Sequence, residues 1–226
     1  MKFPKRLWRR ILPWLLKTIA AFYGFWFLSL ILLRWIDPPT TGVHIQRRVE
    51  SWFRKTPYQK RYSPVPMERI SPHLRHAVVA AEDTRFYMHN GLDIAAMADA
   101  AREATGKRHR LRGASTLTQQ LIKNLFFTTH GNPVRKVIEW TLAPVADFVL
   151  GKERVLELYL NVIEWGPGVY GAEAAARYHF KSPAATLARN PSARLAACIP
   201  SPRRRRPAAM NQYAAIIETR MGQLGF

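Results

Sequence analysis

The segment "ILPWLLKTIAAFYGFWFLSLILLRW", residues 11–35, restricts the architecture of this chain more than any other stretch. Sixteen consecutive residues from Thr18 to Leu33 carry no charge, and the apolar run reaches back across Lys17 to Ile11. About 20 such residues cross the hydrocarbon of a bilayer, where a single segment satisfies its own backbone only as a helix. The segment is apolar all round, unlike the one-sided helix of a soluble core. Lys17 can snorkel to the headgroups, and Trp8, Trp14 and Trp35 suit the two interfaces. Lys2, Lys5, Arg6, Arg9 and Arg10 precede the span and the first acid is Asp37, so the N-terminus should stay in the cytoplasm and the remainder be exported. "RWIDPPTTG" has no small-x-small cleavage site, which favours a retained anchor over a signal peptide. The expected organisation is a basic cytoplasmic tail (1–10), a transmembrane anchor (11–36), a juxtamembrane, membrane-associated segment (37–69) and a single domain (70–226).

The domain is expected to be mainly α. Ser71 and Pro72 form a helix start before "HLRHAVVAAED". "DIAAMADAAREATGK" follows, then a basic loop, and Ser115 is expected to cap "TLTQQLIKNLFF". Asn132 and Pro133 open "PVRKVIEWTLAPVADFVLG", in which Pro144 should kink or split the helix before "KERVLELYLN". A glycine-rich loop, "EWGPGVYG", leads into "AEAAARYHF", with a last helix in "SARLAAC". No strand pattern stands out. The 35 Lys+Arg against 15 Asp+Glu give a net charge of +20, which calls for anionic partners: nucleic acid, anionic lipid or a phosphate-bearing substrate. The single cysteine, Cys198, excludes an internal disulfide and a cysteine-based metal cluster.

Against that basic background, "AAEDTRFYMHNG" places Glu82 and Asp83 at the end of an apolar helix. Buried carboxylates are costly unless paired, and gather where chemistry needs a tuned proton acceptor. At about 100° per residue, Thr116, Gln119, Gln120, Lys123 and Asn124 share one helix face. Adjacent amides and hydroxyls around a single cation look built to bind a ligand. "RKVIE" sets Arg135 and Glu139 one turn apart with Lys136 beside them, near a helix N-terminus that itself attracts anions. Gly166, Gly168 and Gly171 lie in no βαβ context, so close backbone packing explains them better than a nucleotide fingerprint.

In order along the chain, "EDTRFYMHNG", "GASTLTQQLIKN", "RKVIE", "ERVLELYLN" and "GPGVYGAEAAA" resemble the motifs of peptidoglycan glycosyltransferases, especially the monofunctional, membrane-anchored type. The resemblance covers roughly residues 71–202. It implies a lysozyme-like helical glycosyltransferase domain at the outer face of a bacterial inner membrane. Such enzymes polymerise lipid II, a disaccharide-pentapeptide on undecaprenyl diphosphate, into β-1,4 glycan. The chain ends soon after the motifs, so glycan synthesis without cross-linking is expected.

The resemblance makes Glu82 the general base and Glu139 a second glutamate required for activity. A diphosphate leaving group needs charge neutralisation rather than a proton donor. Lys123, Arg135, Lys136 and Arg85 are the expected cations, with Ser115, Thr116, Gln119, Gln120 and Asn124 as substrate ligands. Asp83, Phe86, His89, Gly91, Tyr159, Asn161, Gly166, Gly168, Tyr170 and Gly171 would support the cleft, His89 holding its loop rather than transferring protons. The family implies a divalent cation, Mg2+ or Mn2+, at an unknown site, and no organic cofactor. Expected partners are lipid II, the growing glycan, inner-membrane lipids and other wall-synthesis proteins, without nucleic acid. Three positions depart from the pattern: Gly131 stands where many relatives carry arginine, Pro191 where many carry glutamate, and Tyr178-His179 reverses the commoner order. The rival readings are a peptidoglycan-cleaving enzyme, whose catalytic Glu is typically followed by Ser rather than Asp, and a tethered anion binder using "PRRRRP".

Overall fold

The computed structural model describes residues 5–54, 57–105 and 115–226. Helix α1 (Lys5–Leu33) is the apolar segment, and from Arg9 to Leu33 it is long and apolar enough to cross a membrane. Its C-terminal half docks on the domain. Trp26 packs on Phe126 and Phe127, with ring centroids 4.5 and 5.8 Å apart. The Tyr23 hydroxyl lies 3.0 Å from that of Thr141, and Leu30 and Leu33 are buried. Contacts reaching back to Tyr23 set part of the domain alongside the C-terminal half of this apolar helix. Val134, Val137, Trp140 and Phe148 are exposed on the neighbouring helix α6 (Pro133–Val162), an apolar surface that suits hydrocarbon better than water.

The exit from α1 is fastened at several points. Arg154 donates through Nε to the Leu33 carbonyl (2.9 Å) and pairs with Asp37 (2.9 Å). The Tyr62 hydroxyl and Lys60 Nζ donate to the carbonyls of Pro38 and Pro39. Helix α2 (Gly42–Arg54) then packs one face on the domain. A Cβ at Gly42 would lie 2.4 Å from the Phe127 oxygen, so the start of α2 approaches as only glycine allows. His44 meets the Val162 carbonyl, Gln46 bonds Thr129, and Arg47 pairs with Glu164 at 3.0 Å. Trp52 and Phe53 face outward.

The mainly α fold consists of α3 (Pro72–Glu82), α4 (Ile94–Thr105), α5 (Leu117–Phe126), α6, α7 (Ala172–Phe180), α8 (Arg189–Ala196) and α9 (Asn211–Gln223) after the first two helices. Trp165, Tyr159, Tyr170 and Phe86 are the largest fully buried side chains among the described residues, with α5 packed along α6 and α3 along α8. Contrary to the sequence reading, three short strands are present: β1 (Arg61–Tyr62), β2 (Glu164–Gly166) and β3 (Val169–Tyr170), in the order β1-β3-β2. β1 runs parallel and β2 antiparallel to β3. Strands of two or three residues are too short to display a period of two.

The break in α6 also differs from expectation. The helix continues through Pro144 and parts at Gly151, whose φ of 76° and ψ of 161° lie outside helical space. A proline removes one hydrogen bond and bends a helix, whereas a glycine at positive φ leaves it. As read from sequence, Asn132 caps α6 by accepting from the Val134 N–H (2.8 Å).

Candidate active site

Helix α3 starts where Ser71 accepts the His73 N–H (3.2 Å) and its own hydroxyl donates to the Leu187 carbonyl (2.6 Å). The Ser71 N–H also donates to the Ala184 carbonyl. These bonds tie the start of α3 to the segment leading into α8, so the two helices pack side by side in the same direction. Leu74, Ala77, Val78, Val79 and Ala80 fill the core, and Glu82 and Asp83 emerge at the end.

The two acids face different partners. Asp83 turns inward, accepting from the Leu117 N–H in the first turn of α5 (2.9 Å) and meeting His89 Nε2 at 3.1 Å. A carboxylate at a helix N-terminus satisfies an otherwise unpaired N–H and complements the helix dipole. Burial pushes its pKa up, opposed by the Leu117 N–H and His89. Glu82 instead accepts from Gln120 Nε2 (2.9 Å), while Gln120 Oε1 accepts from the hydroxyl of the fully buried Tyr159 (3.0 Å). That second bond fixes which end of the amide points at the carboxylate. Burial raises the Glu82 pKa, and the Gln120 bond and the charges of Lys123 and Arg205 pull it back.

Helix α5 is capped one residue later than Ser115. The Thr116 hydroxyl accepts from the Gln119 N–H (3.2 Å) while Gln119 Oε1 accepts from the Thr116 N–H (3.0 Å), a reciprocal capping box. Thr116 also donates to the Gly91 carbonyl (2.6 Å). Gly91 has φ +80°, and a Cβ there would lie 2.4 Å from the Ala143 oxygen, so the loop after the acid pair abuts α6. Gln119 is therefore a buried structural residue, and Asn124 donates to the Gln120 carbonyl (2.7 Å). Ser115 Oγ accepts from Lys136 Nζ (2.9 Å).

The remaining cations gather about Glu139, only 2% exposed. Arg135 Nε lies 2.9 Å and Lys136 Nζ 3.3 Å from its carboxylate, and Arg135 also donates to the Thr128 carbonyl. Enclosed by cations, Glu139 acts as a counter-ion that holds them together. The Lys123 carbonyl accepts from the Phe127 N–H, but its ammonium has neither a hydrogen bond nor an ion pair within 4 Å among the described residues. Burial, with Arg135 and Lys136 adding repulsion, lowers its pKa, while Glu139 and Glu82 raise it. A half-buried ammonium with only distant counter-charges is ready for an anionic ligand.

Other predicted site residues lie elsewhere or serve the frame. Arg85 pairs with Asp93 (2.7 Å), whose carboxylate also caps α4 through the Ala96 N–H. Phe86 is buried beneath Lys152 (4.6 Å to the ring). Asn161 bonds both the N–H and the carbonyl of Val65, and Tyr170 accepts from the Tyr58 hydroxyl (3.3 Å) against the His44 ring. Gly168 and Gly171, at φ +72° and +85°, approach the Gln59 and Asn161 oxygens and so pack backbone, whereas Gly166 meets only side chains, those of His179 and Val169, at ordinary contact distance. Gly131 is exposed with open space around it; Arg110 and Arg112, the basic-loop residues expected to compensate for the arginine missing there, fall outside the described residues.

Two features escaped the sequence reading. Thr118 and Lys152 both bond the buried Asp147 at 3.0 Å, pinning the other face of α5. In "PRRRRP", Arg205 is not a solvated tail residue: it donates to the Ala197 carbonyl (2.7 Å), lies over the Tyr213 ring (5.5 Å) and places its charge near Glu82. The tandem arginines gave no periodic signal to mark which one faces inward.

The domain is helical and holds one desolvated glutamate, Glu82, that feels the charges of Lys123 and Arg205. The transglycosylase family profile matches residues 49–222. The chain belongs to this family, whose lysozyme-like fold agrees with the helical architecture. It is 44% identical over 199 residues to the biosynthetic peptidoglycan transglycosylase of Pseudomonas entomophila (strain L48), covering 86% of this chain and 84% of that one. It is similar to the proteins of that name from Ectopseudomonas mendocina (strain ymp; 40% identity, 96% and 88% covered) and Shewanella amazonensis (strain ATCC BAA-1098 / SB2B; 43%, 99% and 91%).

Proposed function

We propose that the protein is a peptidoglycan glycosyltransferase that polymerises lipid II into β-1,4 glycan, anchored by α1 in the bacterial inner membrane with the domain on the periplasmic side. The observation that carries this reading is Glu82, held by one neutral amide between the charges of Lys123 and Arg205. A sugar hydroxyl is too weak an acid to attack unaided, and a positioned base contributes roughly 10²–10⁴-fold. Ionised Glu82 takes the proton of the acceptor 4-hydroxyl as its oxygen bonds to the donor anomeric carbon. The bond from that carbon to the diphosphate oxygen breaks, and its electron pair leaves with the lipid diphosphate. One displacement inverts an α-linked donor to a β product. Lys123, Arg135 and Lys136 stabilise the departing charge, and the proton on Glu82 passes to solvent.

The divalent cation that the family resemblance implies has one candidate group among the described residues: Asp83, His89 and Asp93, with ligand atoms within 4.8 Å of one another. It does not fit a resident ion. Asp83 already serves Leu117 and His89, and Asp93 serves Arg85 and Ala96. No step runs through that group, and a divalent ion would arrive as the counter-ion of the substrate diphosphate.

The test is labelled lipid II with wild type and Glu82→Gln. Wild type yields glycan polymer, and the variant loses at least about 10²-fold. Equal polymer from both removes Glu82 from the chemistry. Soluble muropeptides released from purified sacculi would replace this reading with that of a cleaving enzyme.

A further inference from the structure

A cavity of about 90 Å³ lies between the second half of α2 and the β2–β3 turn, and neither Glu82 nor its partner Gln120 lines it. Three guanidiniums, Arg47, Arg54 and Arg203, share it with two carboxylates, Glu50 and Glu164. Both acids are already engaged by Arg47, whose Nε donates to Glu164 (3.0 Å) and whose Nη1 donates to Glu50 (2.9 Å). Glu164 is also buried, and Gln46 gives Glu50 a further donor. Arg203 reaches Glu50 only at 3.5 Å, and Arg54, exposed at the end of α2, has no partner among the described residues. The hydroxyls of the wall are turned to other work: Ser51 donates to the Arg48 carbonyl and Tyr58 to the Tyr170 hydroxyl. What the cavity leaves uncommitted is therefore a set of positively charged N–H donors. The ligand they suit is an anion with several acceptor oxygens.

Position decides where that anion comes from. The chain lining the cavity returns to the exit of α1, because Lys60 Nζ and the Tyr62 hydroxyl donate to the Pro39 and Pro38 carbonyls. Gly168, in the cavity wall, packs against the Gln59 carbonyl beside Lys60. Leu33 ends the apolar helix shortly before Pro38, so the cavity sits close to the level where hydrocarbon gives way to headgroups. On α2 itself, Ile45, Trp52 and Phe53 are exposed, with Arg48 between them on the outward stripe. A helix with an aromatic, apolar outer face and basic neighbours rests in the interface of a bilayer. Arg54 directly follows Phe53, so seating the aromatic pair there brings its guanidinium to the phosphate layer.

We propose that this cavity binds the phosphate of an anionic phospholipid headgroup, held by Arg54 and Arg203 with Arg47 behind them, and so clamps α2 between the lipid and the domain. The site is separate from the glycosyl-transfer chemistry and shares with that reading only the anchoring of α1. Free inorganic phosphate offers similar oxygens without the membrane and is the competing source in the test.

The full-length protein in phosphatidylcholine vesicles is photolysed with trace phosphatidylglycerol carrying a diazirine on its headgroup glycerol. Label should concentrate on peptides containing residues 47–54 and 164–168, which line the cavity. Unlabelled phosphatidylglycerol should displace it, whereas added phosphatidylcholine or inorganic phosphate should not. Arg54→Gln and Arg203→Gln should each reduce this labelling about fivefold, as for one basic side chain lost beside an anionic surface. Arg204→Gln removes the same charge from an exposed neighbour that does not line the cavity, and the labelling should stay as in wild type. Label spread evenly over the basic surface, an equal loss in Arg204→Gln, or displacement by phosphatidylcholine or by inorganic phosphate would overturn the inference. The mapping uses wild-type protein, and Arg54 has no bond within the fold to lose, so misfolding of a variant does not shelter the proposal.

Discussion

Glu82 and Asp83 are adjacent yet have separate tasks, because the helix ends between them. The last turn of α3 aims Glu82 at Gln120, and the extended backbone of Asp83 (φ −157°) swings its carboxylate to the start of α5. Burial raises the Glu82 pKa above its ordinary 4.5, so the folded protein binds this proton more tightly than the unfolded chain. Stability is then lost as pH rises from that ordinary value through the raised one. Glu82→Gln should therefore melt higher than wild type at pH 7.5, with the gap closing below pH 4.5. The Tyr159 hydroxyl acts on Glu82 through Gln120. Tyr159→Phe should free the amide to rotate, lowering kcat about three- to tenfold for a hydrogen bond worth ~0.5–1.5 kcal/mol. With the Gln120 bond weakened, the acid limb of the kcat profile should move to higher pH while KM stays near its wild-type value. An unshifted limb would reduce Tyr159 to a packing residue.

At the scale of elements, α5 organises the site: Asp83 and Thr116 hold its first turn, Asp147 its far face, and Gln120 and Lys123 project from it. Thr116→Ala should cost about 1–2 kcal/mol of stability through the lost cap, read as a lower melting temperature, with turnover falling as Gln120 loses its register. Cap chemistry was legible where it is local. Ser71-Pro72 and Asn132-Pro133 each start a helix as their sequence says. Ser115 and Thr116 are both hydroxyl residues, and only the spacing from Thr116 to Gln119 selects the second. Glu82, Gln120 and Lys123, which the structure brings together through the Gln120 bond and the Lys123 charge, could be grouped beforehand because motif order and helical spacing are sequence properties. Gln119 could not be assigned so, because the same helical face serves ligand and cap. Gly168, Gly171 and Arg205 depend on which backbone arrives beside them, and chain separation hides that. Gly151 outranks Pro144 as a breaker for a related reason: positive φ ends a helix outright, and nothing local announces which glycine will adopt it.

For the whole molecule, the membrane span and the catalytic body are joined through Arg154, which holds Asp37, Glu157 and the Leu33 carbonyl together. Arg154→Ala should cost roughly 1.5–3 kcal/mol, as for the loss of a charge-assisted hydrogen-bonding group from half-buried partners. Hydrogen exchange should quicken across residues 34–41 while the interiors of α5 and α6 stay protected; unchanged exchange at 34–41 would mean the joint is held by packing instead. Arg34 reinforces the same junction by donating to the Val149 carbonyl. The excess charge of +20 fits a body resting against anionic headgroups. A stalk welded in this way cannot absorb changes beneath it by flexing. Where α1 tilts to match a thinner or thicker bilayer, a body fastened to it through Arg154 should tilt with it, like a mast fixed to its hull.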